Sequence, residues 1–374
     1  MIDCIIEPQT EINVYANVYT KQKEDDDMKK RKVLAVLLTL SMCFAMAGCK
    51  TDKTDAETAK PNEVADSESS EEEASAEQPV EDASNVKIGY ICQSMTNQGW
   101  LIINDGAQTA AEELGVDFQF TATTQNDVGA WLNAFEDLQN MGCQAIVFGG
   151  ADTTTIQAIE AAVEKGIVCV EADSPSGAQG TYRIGISNYD AAVQGATWLA
   201  EAIEKQGTVV VVNGTRTSTS GQERREGFIN TMNELAPDVE IFEVDSEWVQ
   251  EKALNGVEDA LTALDNDVAA IYCAWDGGTV AVASVLEQRG LTGKVKLMGF
   301  DGAADALGLM KEGKVDADVG QPLFKMGYEG VATALKAVQG EELGEMDIKL
   351  QTVVITPDMV DSYIEEAGLS DYVK

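Results

Sequence analysis

From Val86 onward the chain repeats one pattern: a short apolar run, a polar loop, then a segment with helical spacing. The runs are VKIGYICQ, VDFQFTAT, AIVFGG, IVCVEAD, YRIGIS, TVVVVNG, VEIFEVDS, AAIYCAW and KLMGFDG. Between most of them lie helical segments such as AWLNAFEDLQNMG and TTTIQAIEAAVEKG, and in the second Ile156, Ile159, Ala162 and Val163 make one apolar stripe. Gly115, Gly142, Gly166 and Gly290 stand where such helices need a C-cap. Strands alternating with helices imply parallel sheets covered by helices on both faces. Nine or more strands over about 290 residues are too many for one compact unit of this kind. The expected fold is therefore α/β, with two doubly wound parallel-sheet lobes.

Charge and composition narrow the function classes. The 374 residues carry 26 basic and 64 acidic side chains, a formal net charge of −38, which argues against sequence-independent nucleic-acid binding. Histidine is absent, so imidazole acid–base catalysis, Ser-His-Asp triads and His-ligated metals are excluded within this chain. Of the seven cysteines, Cys92, Cys143, Cys169 and Cys273 sit in apolar, strand-like runs and read as small buried thiols. No pair has Cys-x-x-Cys spacing, and a disulfide between two of them stays open.

The N-terminal region reads as an address rather than as fold. Residues 28–48 comprise a basic stretch (Lys29, Lys30, Arg31, Lys32) and an apolar run from Val33 to Ala47, the pattern of a secretory signal peptide. The run ends in Ala47-Gly48-Cys49, which resembles the bacterial lipobox and makes Cys49 the expected lipidation site. Residues 1–27 read as an upstream extension of the gene start, and 49–85, rich in Glu, Asp, Ser and Ala, as an acidic disordered tether.

In doubly wound sheets, ligands sit outside the carboxyl ends of the strands, so function is read just after each strand. Asn97 and Trp100 follow the first run, Asp173 follows IVCVEA, and Arg224 comes after VVVVNG. Trp248 follows IFEVD, Trp275 and Asp276 follow AIYCA, and Asp301 ends KLMGFD. Taken singly, a strand-end aspartate is equally a helix N-cap and a loop tryptophan equally edge packing. Together they suit a polyhydroxylated ligand. Aromatic faces pack on the C–H faces of a sugar ring, carboxylates accept from hydroxyls, and arginine and amides donate.

These residues also resemble the periplasmic sugar-binding proteins of the ribose/galactose type, the solute receptors of ABC transporters. The resemblance spans Val86 to the C-terminus and rests on IGYICQSMTNQGW…NDGAQTAAEELG and DLQNMGCQAIVFGGAD. SGQERREGF at 220–228, MGFDG at 298–302 and DADVGQPLFKMGYEG at 316–330 extend it. The resemblance implies that Asn97 and Trp100 are first-loop ligand contacts, Asp173 a hydroxyl-binding carboxylate and Arg224 the sugar-bridging arginine. It makes Trp248 an aromatic of the second lobe, and Asp301 and Gln321 polar contacts near the hinge.

Three departures bear on specificity. Gly99 stands where ribose receptors place a second aromatic, Ser174 where they have an arginine, and Trp275 where they have an asparagine. Trp275 is accordingly expected to replace the aromatic platform lost at Gly99. No counterpart of the galactose receptors' calcium loop is found.

The resemblance further implies three crossovers near Ser187–Asn188, Gln321 and Lys349–Thr352. One lobe then comprises 86–187 plus 322–350 and the other 188–321 plus 351–374. The implied mechanism is hinge closure on a sugar or polyol by a monomer anchored on the extracytoplasmic face of the cell membrane through Cys49, with delivery to an ABC permease and its ATPase. Neither an enzymatic activity, a cofactor, a metal nor a nucleic-acid partner is expected. The alternative is a surface sensor, with the same pocket, that feeds a chemoreceptor or membrane histidine kinase.

Overall fold

A computed structural model describes residues 82–374 other than 125, 126, 152, 342, 371 and 374. Cys49, the signal sequence at 28–48 and nearly all of the 49–85 segment lie outside the described residues. A 3-10 turn, Ala83–Asn85, capped by the Asp82 side chain, precedes the first strand.

Each lobe repeats strand, loop, helix. The first carries β1 (Lys87–Cys92), α1 (Gln98–Leu114), β2 (Asp117–Ala122), α2 (Val128–Asn140), β3 (Ala145–Phe148), α3 (Ile156–Glu164), β4 (Val168–Ala172) and β5 (Tyr182–Gly185). The second begins with α4 (Asn188–Ala202), β6 (Thr208–Asn213), α5 (Thr219–Leu235), β7 (Glu240–Asp245) and α6 (Gln250–Ala263). It continues with β8 (Ala270–Cys273), α7 (Asp276–Arg289), β9 (Lys296–Asp301), α8 (Ala304–Lys311) and β10 (Ala317–Gly320). The chain then returns through α9 (Leu323–Val338) and β11 (Asp347–Lys349) to the first sheet, and finally through β12 (Val353–Ile355) and α10 (Val360–Glu366) to the second.

The two six-stranded sheets have corresponding orders, β11-β5-β4-β3-β1-β2 and β12-β10-β9-β8-β6-β7. All pairings are parallel except β10 with β12. The chain passes between the sheets three times, after β5, after β10 and after β11. The expected α/β fold of two doubly wound lobes is what the structure has.

Central strands β3 and β8 are apolar and buried at every residue because helices cover both faces, and β10 is buried at every residue as well. Edge strand β2 instead alternates, and its Phe118 and Phe120 stack on Tyr90 of β1 with ring centroids 5.8 and 6.2 Å apart. α1 and α9 approach backbone to backbone. A Cβ on Gly106 would lie 1.9 Å from the Phe324 carbonyl, and one on Gly327 1.8 Å from that of Ile103, so only glycine permits this crossing.

Three features were not read from the runs. β10, β11 and β12 are short, and Asp318 and Asp347 interrupt the apolar pattern of the first two. Cys143 lies in the turn before β3 rather than in a strand. All four described cysteines are buried and free, and burial pushes their thiols up, to about 11 at Cys143 and about 12 at Cys169.

Candidate functional site

The carboxyl ends of both sheets face one cleft, open to solvent at its mouth. All eight candidates read from the sequence line it: Asn97, Trp100, Asp173, Arg224, Trp248, Trp275, Asp301 and Gln321. Asp276, also a strand-end residue, does not. It is 2 % exposed beneath the cleft floor, where its Oδ2 accepts from the Ala303 amide at 2.7 Å.

The cleft floor is organised by Arg224, on α5 and buried. Its Nε donates to Asn188 Oδ1 at 2.8 Å, and its Nη1 donates to the Ala274 carbonyl at 2.8 Å and to Asp301 Oδ1 at 3.0 Å. Its guanidinium lies 3.9 Å from the Phe300 ring centroid and 5.8 Å from that of Trp248. Asp301 also accepts from Gln321 Nε2 at 2.7 Å and from the Asp276 amide at 3.3 Å. Burial raises its carboxyl to about 6, with Arg224 opposing and Asp173 adding to the rise.

This ion pair is tied to two of the three crossovers. Asn188 begins α4 just after the first, and Gln321 lies in the second, where its carbonyl accepts from Tyr363 Oη at 3.0 Å. Arg224 and Asp301 are thus bonded to two of the segments that pass between the lobes.

Asp173 and Asp301 occupy corresponding places, at the ends of β4 and β9 in the two sheets. Both have left-handed backbone, φ 103° and 129°. Non-glycine residues are strained there, and such strain persists where the surrounding structure imposes it, commonly at binding sites.

The tryptophans are seated by glycines at strand ends. Trp100, in the first turn of α1, lies over Gly149 after β3, where a Cβ would come 2.2 Å from the indole. Trp248 lies over Gly214 after β6 with the corresponding approach of 2.0 Å, and is itself in left-handed backbone at φ 61°. Trp275 caps α7; its Nε1 donates to Ser246 Oγ at 3.1 Å and its ring meets Trp248 edge-on at 6.1 Å. Asn97 is both N-cap and cleft residue: its Oδ1 accepts from the Gly99 amide at 3.0 Å, leaving the amide NH₂ to donate. A Cβ on Gly99 would meet Asn97 Oδ1 first, at 3.3 Å, then Leu323 at 3.7 Å and Asp301 Oδ2 at 3.9 Å, so a larger residue there would crowd the Asn97 cap and reach toward the cleft floor.

Gln93, Thr123, Thr124, Trp131, Thr215 and Ser220 also line the cleft and were not read from the sequence. Gln93, Thr123 and Thr215 lie just past β1, β2 and β6, so the strand-end rule applied to every strand would have named them. Trp131 was concealed by its place in the α2 stripe, stacked on Phe135 at 5.0 Å and edge-on to Phe148 at 5.3 Å.

The lobes touch across the cleft. Thr219 Oγ1 donates to the Pro175 carbonyl at 3.2 Å, and the Asp305 amide donates to Gln98 Oε1 at 2.6 Å. The cleft thus has polar groups from both sides and aromatic walls, and its central ion pair is bonded to two of the segments that join the lobes.

Comparison with known proteins agrees with this geometry. The D-allose-binding periplasmic protein of Escherichia coli is 25% identical over 272 residues, covering 70% of this chain and 87% of that protein. The ribose import binding protein of Haemophilus influenzae is 27% identical over 276 residues, covering 72% and 91%. Among solved structures, an ABC transporter solute-binding protein of Burkholderia graminis in complex with D-arabinose aligns with TM-score 0.71 at 24% identity, covering 79% of this chain and 100% of that one. Residues 88–342, more than half of the chain, match the family model described as periplasmic binding protein domain, and the chain belongs to that family.

Proposed function

We propose that this chain is the substrate-binding lipoprotein of an ABC transporter. It would capture a sugar or sugar-like polyol between its lobes on the extracytoplasmic face of the membrane and present it to a permease. The observation that carries the reading is the buried Arg224–Asp301 pair, bonded at once to Asn188 and Gln321 in two crossovers. A ligand hydroxyl on Arg224 Nη2 or on Asp301 then acts directly on the hinge. Each ligand bond made from both lobes favours the closed state by its differential affinity. Relatives named for D-allose and ribose, and neighbours holding D-allose and D-arabinose, support the ligand class. In this reading Asn97, Trp100, Asp173, Arg224, Trp248, Trp275, Asp301 and Gln321 are the contacts, and Cys49 carries the lipid that holds the protein at the membrane. Asp173 and Asp301 serve as acceptors rather than as a hydrolytic carboxylate pair.

A thermal-shift screen of the purified protein against pentoses, hexoses, sugar alcohols and cyclitols tests the class, because a bound ligand raises apparent stability by mass action. At least one polyol is expected to raise the melting temperature. If only an amino acid or peptide does so, the sugar reading is wrong. The exchange of platforms is tested alongside. Trp275→Ala and Trp100→Ala are each expected to weaken the polyol found by about ten- to a hundredfold, the value of one buried aromatic face. Unchanged binding in Trp275→Ala would show that this indole is packing only.

A further inference from the structure

We propose that the ligand carries a primary ammonium group, as in an amino sugar or amino-substituted polyol, and that Asp173 is its anchor. The inference rests on the sugar-binding reading and sharpens it.

The charges of the cleft do not balance. Among the described lining residues the carboxylates are Asp127, Asp173 and Asp301, and the one cation is Arg224. Arg224 is matched by Asp301 at 3.0 Å. Asp127 is exposed and spends Oδ1 on the Ala130 amide at 2.9 Å as the cap of α2. Asp173 is different. It is only 8 % exposed, its backbone is strained, and its side chain has no ion pair among the described residues. Its one side-chain partner is the neighbouring hydroxyl, Ser174 Oγ, 2.8 Å from Oδ2. A buried carboxylate with one hydroxyl donor and no countercharge is costly, and the cost is relieved when a cation arrives.

A second observation points to the same donor chemistry. Gln321 is 3 % exposed, gives its amide NH₂ to Asp301, and leaves Oε1 without a partner. The floor therefore holds open acceptors on Asp173 and Gln321, beside the donor amide of Asn97. A hydroxyl brings one donor together with lone pairs that need donors in turn. An ammonium brings three donors, no acceptor and the missing positive charge. Phosphorylated or carboxylated sugars would meet uncompensated carboxylates and are disfavoured. The net charge of −38 draws cations toward the molecule at low ionic strength.

Calorimetric titration of the purified protein with D-glucosamine, D-galactosamine and D-mannosamine, each beside its parent hexose and its N-acetyl derivative, tests the proposal. At least one amino sugar is expected to bind ten times or more tighter than both neutral counterparts. That preference is expected to weaken in high salt and to vanish as pH rises through the pKa of the amine. Asp173→Asn is expected to reduce the amino-over-neutral preference to less than about threefold, whatever its effect on neutral-sugar affinity; if that variant fails to fold, the pH and salt series on the wild type decides. A neutral hexose or N-acetyl sugar binding as tightly as its amino form overturns the ammonium proposal and leaves the sugar reading standing. If no sugar of any kind binds, both are overturned.

Discussion

Arg224→Ala is expected to lose ligand binding by a hundredfold or more and to lower folding stability at the same time. The arginine holds three acceptors, from Asn188, Ala274 and Asp301, and lies against the Phe300 ring. Its removal leaves Asp301 buried, close enough to Asp173 for the two charges to repel, and without countercharge. Breaking one side of a buried pair costs about 3–5 kcal/mol, far more than the pair contributes net. Arg224→Lys keeps the charge but cannot fork to Asn188 and Asp301 together or lie flat on Phe300, so it is expected to recover only part of either loss. Titration calorimetry and thermal denaturation of the two variants check this. Binding within threefold of wild type in Arg224→Ala would remove the ion pair from the site.

The second large effect concerns pH. Asp276 and Asp318 are buried under the floor, and each spends one oxygen on a backbone amide: Ala303 N to Asp276 Oδ2 at 2.7 Å and Gly302 N to Asp318 Oδ1 at 2.9 Å. The other two oxygens, Asp276 Oδ1 and Asp318 Oδ2, have no donor from the rest of the protein, and both lie within 2.6 Å of where a Cβ on Gly299 would sit. A carboxyl and a carboxylate sharing one proton satisfy both. Burial raises both groups, with their mutual charge adding at Asp276, and Asp318 moves up to about 7.

Below the ordinary aspartate range the folded and unfolded chains both hold this proton. Above it only the folded chain does, so the stabilisation is present in full at low pH and is lost progressively as pH rises above the ordinary aspartate range, through about 7 at Asp318 and beyond that at Asp276. Asp318→Asn supplies a permanent hydrogen where the proton sat. It is expected to come closest to the wild type near pH 4–5 and to exceed it in melting temperature by a margin that widens as pH rises to 8. Parallel pH–melting curves for the two proteins would show that no proton is shared.

Much of this was legible in the sequence, for identifiable reasons. Strands buried on both faces read as unbroken apolar runs, which is why β1, β3, β4, β6, β8 and β9 were visible. β10 was hidden because Asp318, a buried acid, stands in its middle. Strand ends pointed to the cleft, but a strand-end position does not fix where a side chain turns. Asp301 lines the cleft, whereas Asp276, equally placed by sequence, turns beneath the floor toward Asp318. The glycines that seat the indoles, Gly149 and Gly214, were invisible because the contact joins loops from different strands.

In the proposed function a sugar closes the two lobes through the Arg224–Asp301 pair and its bonds to the crossovers. Small-angle X-ray scattering of the protein with and without a polyol found by the screen tests this most directly. The radius of gyration is expected to fall on saturation of the wild type and to stay unchanged for Arg224→Ala at the same sugar concentration. A sugar that binds the wild type tightly and leaves its radius of gyration unchanged would contradict the account.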